Sequence, residues 1–449
     1  MHPRLLKYAT TEVPRYTSYP TAVQFTDRVD TGMVSDWMGA VAADTPVSVY
    51  VHIPFCAQLC WYCGCHTSIP NTYDRVADYV RVLLDEIDIA AARCGSRAGI
   101  AHLHFGGGTP SVLTNDDLRR IVDRLSDRFG IRDGAEIAME IDPRTLATER
   151  FDGLAAIGLN RASLGVQDFD PEVQRRINRV QSVDMVRAGV DGLRAIGVES
   201  INFDLMYGLP GQTVATALET VERSVALDPD RLAVFGYAHV PWFKKHQEMI
   251  DAASLPDTLA RFEQTERIEE RLQQAGYAAI GLDHFARPAD ELALAAGTGR
   301  LRRNFQGYTT DPGEVLIGLG ASSISRFHQG YAQNAPHTGA WRSAVESGHP
   351  AVVRGVELTD DDRLHADAIE RLLCDFKVDI PAVCAAHGRR GCALDGALIR
   401  LDQMIEDRMV VLDGRKVVMT ADGRRFVRAA AACFDQYLQP ARNRHSRAV

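Results

Sequence analysis

The sequence lacks several features that would place the protein in a membrane or on a nucleic acid. No uncharged apolar run in its 449 residues is long enough to cross a bilayer. Residues 1–7, MHPRLLK, lack the apolar segment of a secretion signal. Basic residues are fewer than acidic ones, 50 against 59, and the formal net charge of −9 argues against a general nucleic-acid binder. We therefore predict a cytoplasmic globular protein without a nucleic-acid partner.

Cysteine is scarce, yet it is concentrated in one place. Four of the nine cysteines, Cys56, Cys60, Cys63 and Cys65, fall within ten positions. Gaps of three and two residues let the first three thiolates reach one inorganic group, a spacing typical of iron–sulfur sites. A structural zinc site or a redox Cys-x-x-Cys pair is the alternative. If only the first three thiolates bind a four-iron cluster, one iron has no protein ligand and is open to chemistry.

From residue 47 onward, apolar strands alternate with amphipathic helices. The pattern predicts strands at 47–53, 100–105, 136–141, 161–166, 200–206, 231–237 and 277–282, and helices at 73–92, 114–129, 182–196, 213–226 and 256–275, with a further helix ending at 158. Strand–helix alternation with short loops indicates a parallel sheet in an α/β fold. Six such units predict a partial (β/α)6 barrel that is left partly open. An open doubly wound sheet is the alternative.

Polar residues and glycines lie at the ends of these predicted strands. Residues 106–109, Gly-Gly-Gly-Thr, follow the second strand, where glycine lets the backbone approach a ligand closely. Glu140, Gln167 and Asp204 come near the ends of the next three strands, and residues 237–239, Tyr-Ala-His, end the sixth. A single carboxylate at such a place is often only a helix cap. A ring of these residues at the carboxyl ends of successive strands predicts a binding site.

The barrel is flanked by two other regions. We predict an N-terminal arm at 1–45, irregular apart from one helix at 34–43, before a barrel with substrate loops at 46–354. Residues 14–21, Pro-Arg-Tyr-Thr-Ser-Tyr-Pro-Thr, are either a strap packed on the surface or a lid that faces a ligand.

A smaller C-terminal domain is predicted at 355–449. Its pattern predicts helices at 360–374, 394–406 and 420–437, with a hairpin at 409–419 on an Asp-Gly turn. This order of mostly helical elements resembles a winged-helix module. Because the chain is acidic, we expect the domain to cover an active site and not to bind DNA.

The cysteine loop also resembles a known superfamily. Cys-x-x-x-Cys-x-x-Cys, with the aromatic Tyr62 before the last cysteine, looks like the motif of the radical S-adenosylmethionine enzymes. In that superfamily the open iron of a [4Fe–4S] cluster binds S-adenosylmethionine, and its cleavage gives a 5′-deoxyadenosyl radical that removes an unactivated hydrogen. The resemblance implies that the protein binds and orients the cofactor and excludes competing reactions.

Further segments are similar, in the same order, to the oxygen-independent coproporphyrinogen III oxidase family over nearly the whole chain. They are 15–21 (RYTSYPT), the cysteine loop with Cys65, 140–144 (EIDPR), 165–169 (GVQDF), 204–210 (DLMYGLP), 237–239 (YAH), 284–288 (HFARP), 304–310 (NFQGYTT) and 433–435 (CFD). The resemblance implies conversion of coproporphyrinogen III to protoporphyrinogen IX, in which oxidative decarboxylation turns two propionates into vinyl groups.

The resemblance, carried over position by position, also implies roles for individual residues. Cys56, Cys60 and Cys63 are the implied cluster ligands. Two S-adenosylmethionine molecules are implied, with contacts from Tyr50, Tyr62, Gly107, Gly108, Thr109, Glu140, Gln167, Arg179, Asp204, Ala238 and Ile324. Among these, Glu140 and Asp204 suit ribose hydroxyls, and Arg179 suits bidentate pairing with a methionyl carboxylate.

The substrate and partners follow from the same resemblance. A tetrapyrrole with four propionates needs cationic and hydrogen-bonding groups, and Arg287 and Tyr308, in segments predicted to be loops, are the candidate contacts. We further expect an electron donor such as a flavodoxin or ferredoxin, an electron acceptor that no residue identifies, and a monomer.

Two other functions stay open at this point. One is a haem-binding chaperone built on the same barrel, although such relatives typically lack the cysteine two after the triad and the Tyr-Thr-Ser-Tyr-Pro arm. This chain has both, as Cys65 and residues 16–20. The other is a radical S-adenosylmethionine methyltransferase that acts on tetrapyrroles, which analysis of the products would distinguish.

Overall fold

The computed structural model describes residues 3–438. Fourteen of its strands come before residue 358, and twelve of these form one sheet. In chain order the fourteen are β1 (Val47–Ile53), β2 (Ile100–Gly107), β3 (Ile131–Ile141), β4 (Arg161–Gln167), β5 (Ser200–Tyr207), β6 (Arg231–Gly236), β7 (Ala278–Ile280), β8 (His284–Ala286), β9 (Arg302–Asn304), β10 (Gly307–Thr309), β11 (Leu316–Leu319), β12 (Ile324–Arg326), β13 (Gly330–Asn334) and β14 (Val352–Glu357). Strands β9 and β10 form a separate ribbon.

The order of the large sheet is β14-β13-β12-β11-β1-β2-β3-β4-β5-β6-β8-β7. Strands β1 to β6 are parallel neighbours in chain order, and β11 is parallel to β1 on its other side. The strands beyond β11 and beyond β6 are antiparallel. The edge strands β14 and β7 do not pair within the described residues, so the sheet does not close. The prediction of a partial (β/α)6 barrel is confirmed.

Helices connect the parallel strands and share one hydrophobic core with them. Side chains cap several of them, and Thr114, for example, accepts a hydrogen bond from Asp117 N. The helices before residue 358 are α1 (Pro3–Ala9), α2 (Thr31–Gly39), α3 (Asp74–Arg93), α4 (Asn115–Phe129), α5 (Arg150–Ala156), α6 (Pro171–Arg176), α7 (Val183–Ala195), α8 (Val214–Val225), α9 (Thr258–Gln274), α10 (Glu291–Gly297) and α11 (Thr338–Glu346). None of the helices between residues 3 and 438 is both long and apolar enough to cross a membrane.

Some expectations about these elements were wrong. The strand predicted at 277–282 is only β7, which pairs antiparallel with β8. The pattern missed α1, α6, α10, α11 and the strands β8 to β14. Strand β14 pairs with β13 and runs to Glu357, so the predicted boundary at 355 cuts a strand of the large sheet.

The C-terminal domain has the element order of a winged helix. Its elements are α12 (Asp360–Asp375), β15 (Lys377–Asp379), α13 (Ile380–Ala386), α14 (Asp395–Arg400), α15 (Asp402–Glu406), β16 (Val410–Asp413), β17 (Lys416–Met419) and α16 (Val427–Ala432). The three strands form a separate sheet in the order β15-β17-β16. Two predicted helices are shorter than expected, because the 394–406 helix breaks at Leu401 and only 427–432 of the last one is α-helical. Residues 439–449 of the predicted domain lie outside the described residues.

The N-terminal arm packs on this C-terminal domain. Tyr8, Tyr16 and Tyr19 belong to its hydrophobic core. The hydroxyl of Tyr16 donates to Asp435 at 3.0 Å, and the hydroxyl of Tyr19 accepts from Gln436 N at 3.0 Å. These two phenols therefore act as a strap and do not face a ligand.

Candidate active site

The cysteine loop follows β1 at the carboxyl edge of the parallel strands. Main-chain hydrogen bonds fix it on both sides: Cys56 N donates to Ser68 O at 3.1 Å, and Trp61 N donates to Ile177 O at 3.0 Å. Within the loop, Cys63 N donates to Cys60 O at 3.2 Å. The three thiols of the predicted triad therefore come from one loop of fixed shape.

The first and third thiols of the triad each have a hydrogen-bond donor. Cys56 Sγ lies 3.1 Å from Thr67 Oγ1 and accepts from Thr109 Oγ1 at 3.4 Å. Cys63 Sγ accepts from Cys65 N at 3.4 Å. Hydrogen bonding to Cys65 lowers the pKa of Cys63 to about 6. At Cys56 burial outweighs the two hydroxyl groups and raises the pKa. At Cys63 the donors win, which favours the thiolate, the form that binds iron.

The second thiol, Cys60, faces two guanidinium groups. Arg144 Nη2 lies 3.4 Å and Arg179 Nη1 3.5 Å from Cys60 Sγ. Asp142 holds both arginines, at 2.7 Å and 3.1 Å. Burial alone would raise the pKa of Asp142, but the arginines outweigh burial and lower it. Cys60 therefore lies beside a pair of cations that one carboxylate holds in place.

The chemistry of this donor set fits an iron–sulfur cluster. Thiolates are the usual ligands of such clusters, and hydrogen bonds to the sulfurs tune them. The three thiols lie on one loop, and each has its own donor. In residues 3–438 no three His, Cys, Asp or Glu side chains are grouped as ligands of one metal ion.

The glycine segment after β2 packs directly against the cysteine loop. Gly108 N donates to Ile53 O and Thr109 N to Phe55 O, both at 2.8 Å. A Cβ at Gly108 would lie only 2.6 Å from Phe55 O, and Gly107 has a φ of +118°. These positions require glycine because the loop is close and because the backbone is left-handed at Gly107.

On the inner face of β1, Tyr50 and a histidine that the sequence analysis missed support the end of the cysteine loop. Burial lowers the pKa of His52 to about 4, so the ring is neutral. Its two nitrogens lie 3.1 Å from the Tyr50 hydroxyl and 3.1 Å from His66 O. Both contacts are satisfied when the Tyr50 hydroxyl donates to Nδ1 of His52 and the Nε2–H of His52 donates to His66 O. The His-Ile-Pro sequence at 52–54, just before the cysteine loop, was the signal that could have identified this histidine.

Two predicted carboxylates project from β3 and β5, which lie on either side of β4 in the sheet. Glu140 has a side chain that is 40% exposed and accepts from Gly107 N at 3.3 Å. Asp204 accepts from Ser163 Oγ and Asn202 Nδ2, both at 2.9 Å, and burial raises its pKa to about 6. Both side chains can accept further hydrogen bonds from a polar ligand.

Three other predicted cofactor residues also lie around this edge. Gln167 ends β4 with a φ of +66°. Tyr62 packs on the small cluster that contains Tyr237, and its carbonyl accepts from Gln247 Nε2 at 2.9 Å. Ile324 lies on β12, one strand beyond β11. The edge of the sheet therefore carries the predicted residues on successive strands.

Comparison with known proteins identifies the family. The model of the radical SAM superfamily matches residues 50–223. An oxygen-independent coproporphyrinogen III oxidase from Bradyrhizobium diazoefficiens is 49% identical over 99% of this chain and 99% of its own. One from Paracoccus denitrificans is 44% identical over 97% and 96%. This chain belongs to the oxygen-independent coproporphyrinogen III oxidase family.

A solved structure of a family member has the same fold. The coproporphyrinogen III oxidase from Escherichia coli, described as a radical SAM enzyme, matches with a TM-score of 0.91 and 38% identity, over 95% of this chain and 100% of its own. As a member of this family, the chain is a radical S-adenosylmethionine oxidoreductase of haem biosynthesis. Its cofactors are a [4Fe–4S] cluster and S-adenosylmethionine, and its substrate is a tetrapyrrole.

Arg179 of the oxidase also makes contacts within the protein. Its Nη1 donates to Asp142, and its Nη2 donates to Gly165 O. Only Nε has no hydrogen-bond partner among the described residues. Arg179 is at the predicted place, but its terminal nitrogens hold protein groups.

Neither predicted substrate residue of the oxidase faces the site. Arg287 N donates to Asp230 O before β6, at the amino-terminal edge of the sheet, and its guanidinium pairs with Asp228. Because β8 is antiparallel to β6, it carries Arg287 away from the carboxyl edge. Tyr308 is buried in β10, where its hydroxyl donates to Leu373 O at 2.8 Å and accepts from Leu282 N at 3.1 Å. In this structure both side chains make contacts within the protein.

A cavity of about 540 Å³ adjoins the end of β6 instead. Ala238, a predicted cofactor contact, lies in its wall together with His239 and Trp242. Six arginines also line it: Arg15, Arg261, Arg303, Arg424, Arg425 and Arg428. Its volume is within the range of small-molecule sites, and its lining suits a ligand with several carboxylates.

Proposed function

We propose that this chain converts coproporphyrinogen III to protoporphyrinogen IX without oxygen. Each of two propionates loses a hydrogen atom from the carbon β to the carboxylate. It then loses carbon dioxide, and one electron passes to an external electron acceptor, which leaves a vinyl group. When bound, the cluster and S-adenosylmethionine supply the 5′-deoxyadenosyl radical that removes this hydrogen. The observation that carries the proposal is the triad of thiols on one fixed loop, with hydrogen-bond donors on every sulfur.

The cysteine loop supplies the cluster ligands in this proposal. Cys56, Cys60 and Cys63 each bind one iron through sulfur. Arg144 and Arg179 donate toward Cys60, at 3.4 Å and 3.5 Å, and offset the negative charge of the ligands. Since both guanidinium groups are held by one carboxylate, they fix the orientation of that thiolate.

Residues at the strand ends bind two molecules of S-adenosylmethionine. Glu140 and Asp204 accept hydrogen bonds from ribose hydroxyls. The backbone of the glycine segment allows close approach of the methionyl amino group. Arg179 contributes Nε, which has no partner among the described residues. The full set of contacts is Tyr50, Tyr62, Gly107, Gly108, Thr109, Glu140, Gln167, Arg179, Asp204, Ala238 and Ile324.

Electron transfer takes place at the exposed side of the cysteine loop. Gly64, Cys65 and His66 are exposed there, so a small protein donor such as a flavodoxin or ferredoxin can approach the triad. We also propose that the protein is a monomer located in the cytoplasm. All nine cysteines are free thiols, as a reducing compartment requires.

Anaerobic turnover tests the proposal. The protein is reconstituted with iron and sulfide, then given dithionite, S-adenosylmethionine and coproporphyrinogen III. We expect protoporphyrin, after oxidation of the product, together with 5′-deoxyadenosine. Both should be lost in Cys60→Ala and kept in Cys392→Ala, which changes an exposed thiol of the C-terminal domain.

Two other product patterns would contradict the proposal. A methylated or ring-opened tetrapyrrole would indicate methyl transfer. Neither product, with haem bound to the protein instead, would indicate a chaperone. Cys65 and the arm of residues 16–20 favour the oxidase over the chaperone, as does the match to named oxidases over the whole chain.

A further inference from the structure

Three of the arginines in the cavity wall come from distant parts of the chain. Arg15 belongs to the arm, Arg303 to β9, and Arg428 to α16 of the C-terminal domain. All three line the same cavity of about 540 Å³. Only the packing of the arm between the barrel and the C-terminal domain brings them together.

Backbone carbonyls of the arm connect the three side chains. Arg303 Nη2 donates to Arg15 O at 3.3 Å, and Arg428 donates to Pro14 O at 3.1 Å and to Val13 O. These hydrogen bonds hold the arm in place. Arg15 Nη2 in turn reaches Gly236 O, at the end of β6, at 3.2 Å.

Arg303 keeps unused hydrogen-bonding capacity. Its guanidinium lies over the ring of Tyr308, at 4.5 Å from the centroid. Within residues 3–438, its Nε and Nη1 have no hydrogen-bond acceptor. Both of these nitrogens are buried, so it is the position of the guanidinium in the cavity wall, and not these two atoms, that points to an anionic ligand.

The six arginines of the cavity wall outnumber its three carboxylates. Asp283 lies among the arginines, and Glu12 and Glu269 also line the cavity. Burial would raise the pKa of Asp283, but His284, Arg303 and Arg15 outweigh it and lower the pKa to about 2. Burial, and then the charges of Arg15 and Arg303, lower the pKa of Arg428 to about 10. The three cations therefore lie close enough to repel one another, and added carboxylates would relieve that repulsion.

We propose that Arg15, Arg303 and Arg428 form a carboxylate subsite that holds propionate groups of the tetrapyrrole. The proposal rests on the proposed function, because it assigns residues to the substrate of that reaction. Guanidinium groups pair with carboxylates through two parallel hydrogen bonds, which fixes orientation as well as affinity. In this arrangement the arm is part of the binding site, since it contributes Arg15 and its carbonyls position the other two.

Binding of coproporphyrin III, the oxidised and fluorescent tetracarboxylate, tests the subsite without turnover. Fluorescence titration of the full chain compares wild type, Arg303→Gln, Arg303→Lys and Arg15→Gln. We expect Arg303→Gln and Arg15→Gln to weaken binding about tenfold or more, and Arg303→Lys to restore part of the affinity. Arg302→Gln is the matched control, because Arg302 is the neighbour on β9 and pairs with Glu370 at 3.1 Å.

A structural role alone predicts a different result. If Arg303→Gln and Arg15→Gln bind coproporphyrin III as tightly as Arg302→Gln does, the subsite is refuted, even if their melting temperatures fall. Absence of binding by the wild type would also refute it. Cleavage of S-adenosylmethionine without substrate reports on the cluster separately, so failure of the subsite can be told apart from failure of the proposed function.

Discussion

Gly108→Ala separates a structural requirement of the glycine segment from simple loss of a cofactor contact. Gly108 lies against the main chain just before Cys56, and its amide donates to Ile53 O at 2.8 Å. An added methyl would lie 2.6 Å from Phe55 O and 2.5 Å from Thr67 Oγ1. The first contact is roughly 0.8 Å shorter than the 3.4 Å at which ordinary contact begins.

The cysteine loop has to move to relieve this clash, since Phe55 O is a backbone atom. Overpacking of this kind costs about 1–3 kcal/mol. Thr67 also lies 3.1 Å from Cys56 Sγ, so the strain falls on a cluster ligand. We therefore expect Gly108→Ala to lose iron after anaerobic reconstitution, to cleave S-adenosylmethionine much more slowly and to unfold at a lower urea concentration.

Gly339→Ala is the matched control. Gly339 lies on the exposed side of α11, where an added Cβ meets no heavy atom within 4 Å. Alanine there should leave iron content and cofactor cleavage unchanged and should not lower stability. The reasoning would be refuted if Gly108→Ala held iron and cleaved S-adenosylmethionine as Gly339→Ala does.

Three further changes test other parts of the structure. Burial raises the pKa of Glu86 from 4.5 to about 7, so between these pH values the folded chain holds a proton that the unfolded chain releases. The free energy of unfolding should therefore fall as pH rises from 4.5 to about 7. Glu86→Gln should flatten this slope in urea titrations. Tyr308→Phe leaves Leu282 N without its acceptor and should cost about 1–3 kcal/mol of stability in urea unfolding, whereas an altered KM with unchanged stability would restore a substrate role. Arg144→Gln removes a cation beside Cys60 and should shift the reduction potential of the reconstituted cluster downward in a redox titration, while an unchanged potential would contradict its electrostatic role.

Much of the barrel could be predicted from local sequence pattern. Buried parallel strands are continuous apolar runs, and the 47–53 prediction coincides with β1. Turn and capping residues placed α4 and α8 to within a residue or two. The cysteine spacing and the polar residues at strand ends indicated the site, since strand ends of a parallel sheet share one edge.

Contacts between distant segments could not be predicted in this way. The bonds from Arg303 to Arg15 and from Arg428 to Pro14 join residues 288 and 414 positions apart. No periodicity indicates such pairs. Strands β12 and β9 have three residues each, too short for an alternating pattern. Arg287 and Tyr308 were chosen for their chemistry alone, and their placement depends on the antiparallel turn of β8 and on the packing of α12.

We propose that three thiolates of one loop hold a cluster with one iron open to S-adenosylmethionine. Electron paramagnetic resonance of the reduced protein tests this proposal most directly. After anaerobic reconstitution and dithionite, we expect a [4Fe–4S]⁺ signal whose shape changes when S-adenosylmethionine is added. Cys56→Ala, Cys60→Ala and Cys63→Ala should lose the signal, whereas Cys65→Ala should keep both signal and response. A cluster that survives loss of a triad cysteine, that depends on Cys65, or that does not respond to S-adenosylmethionine would contradict the account.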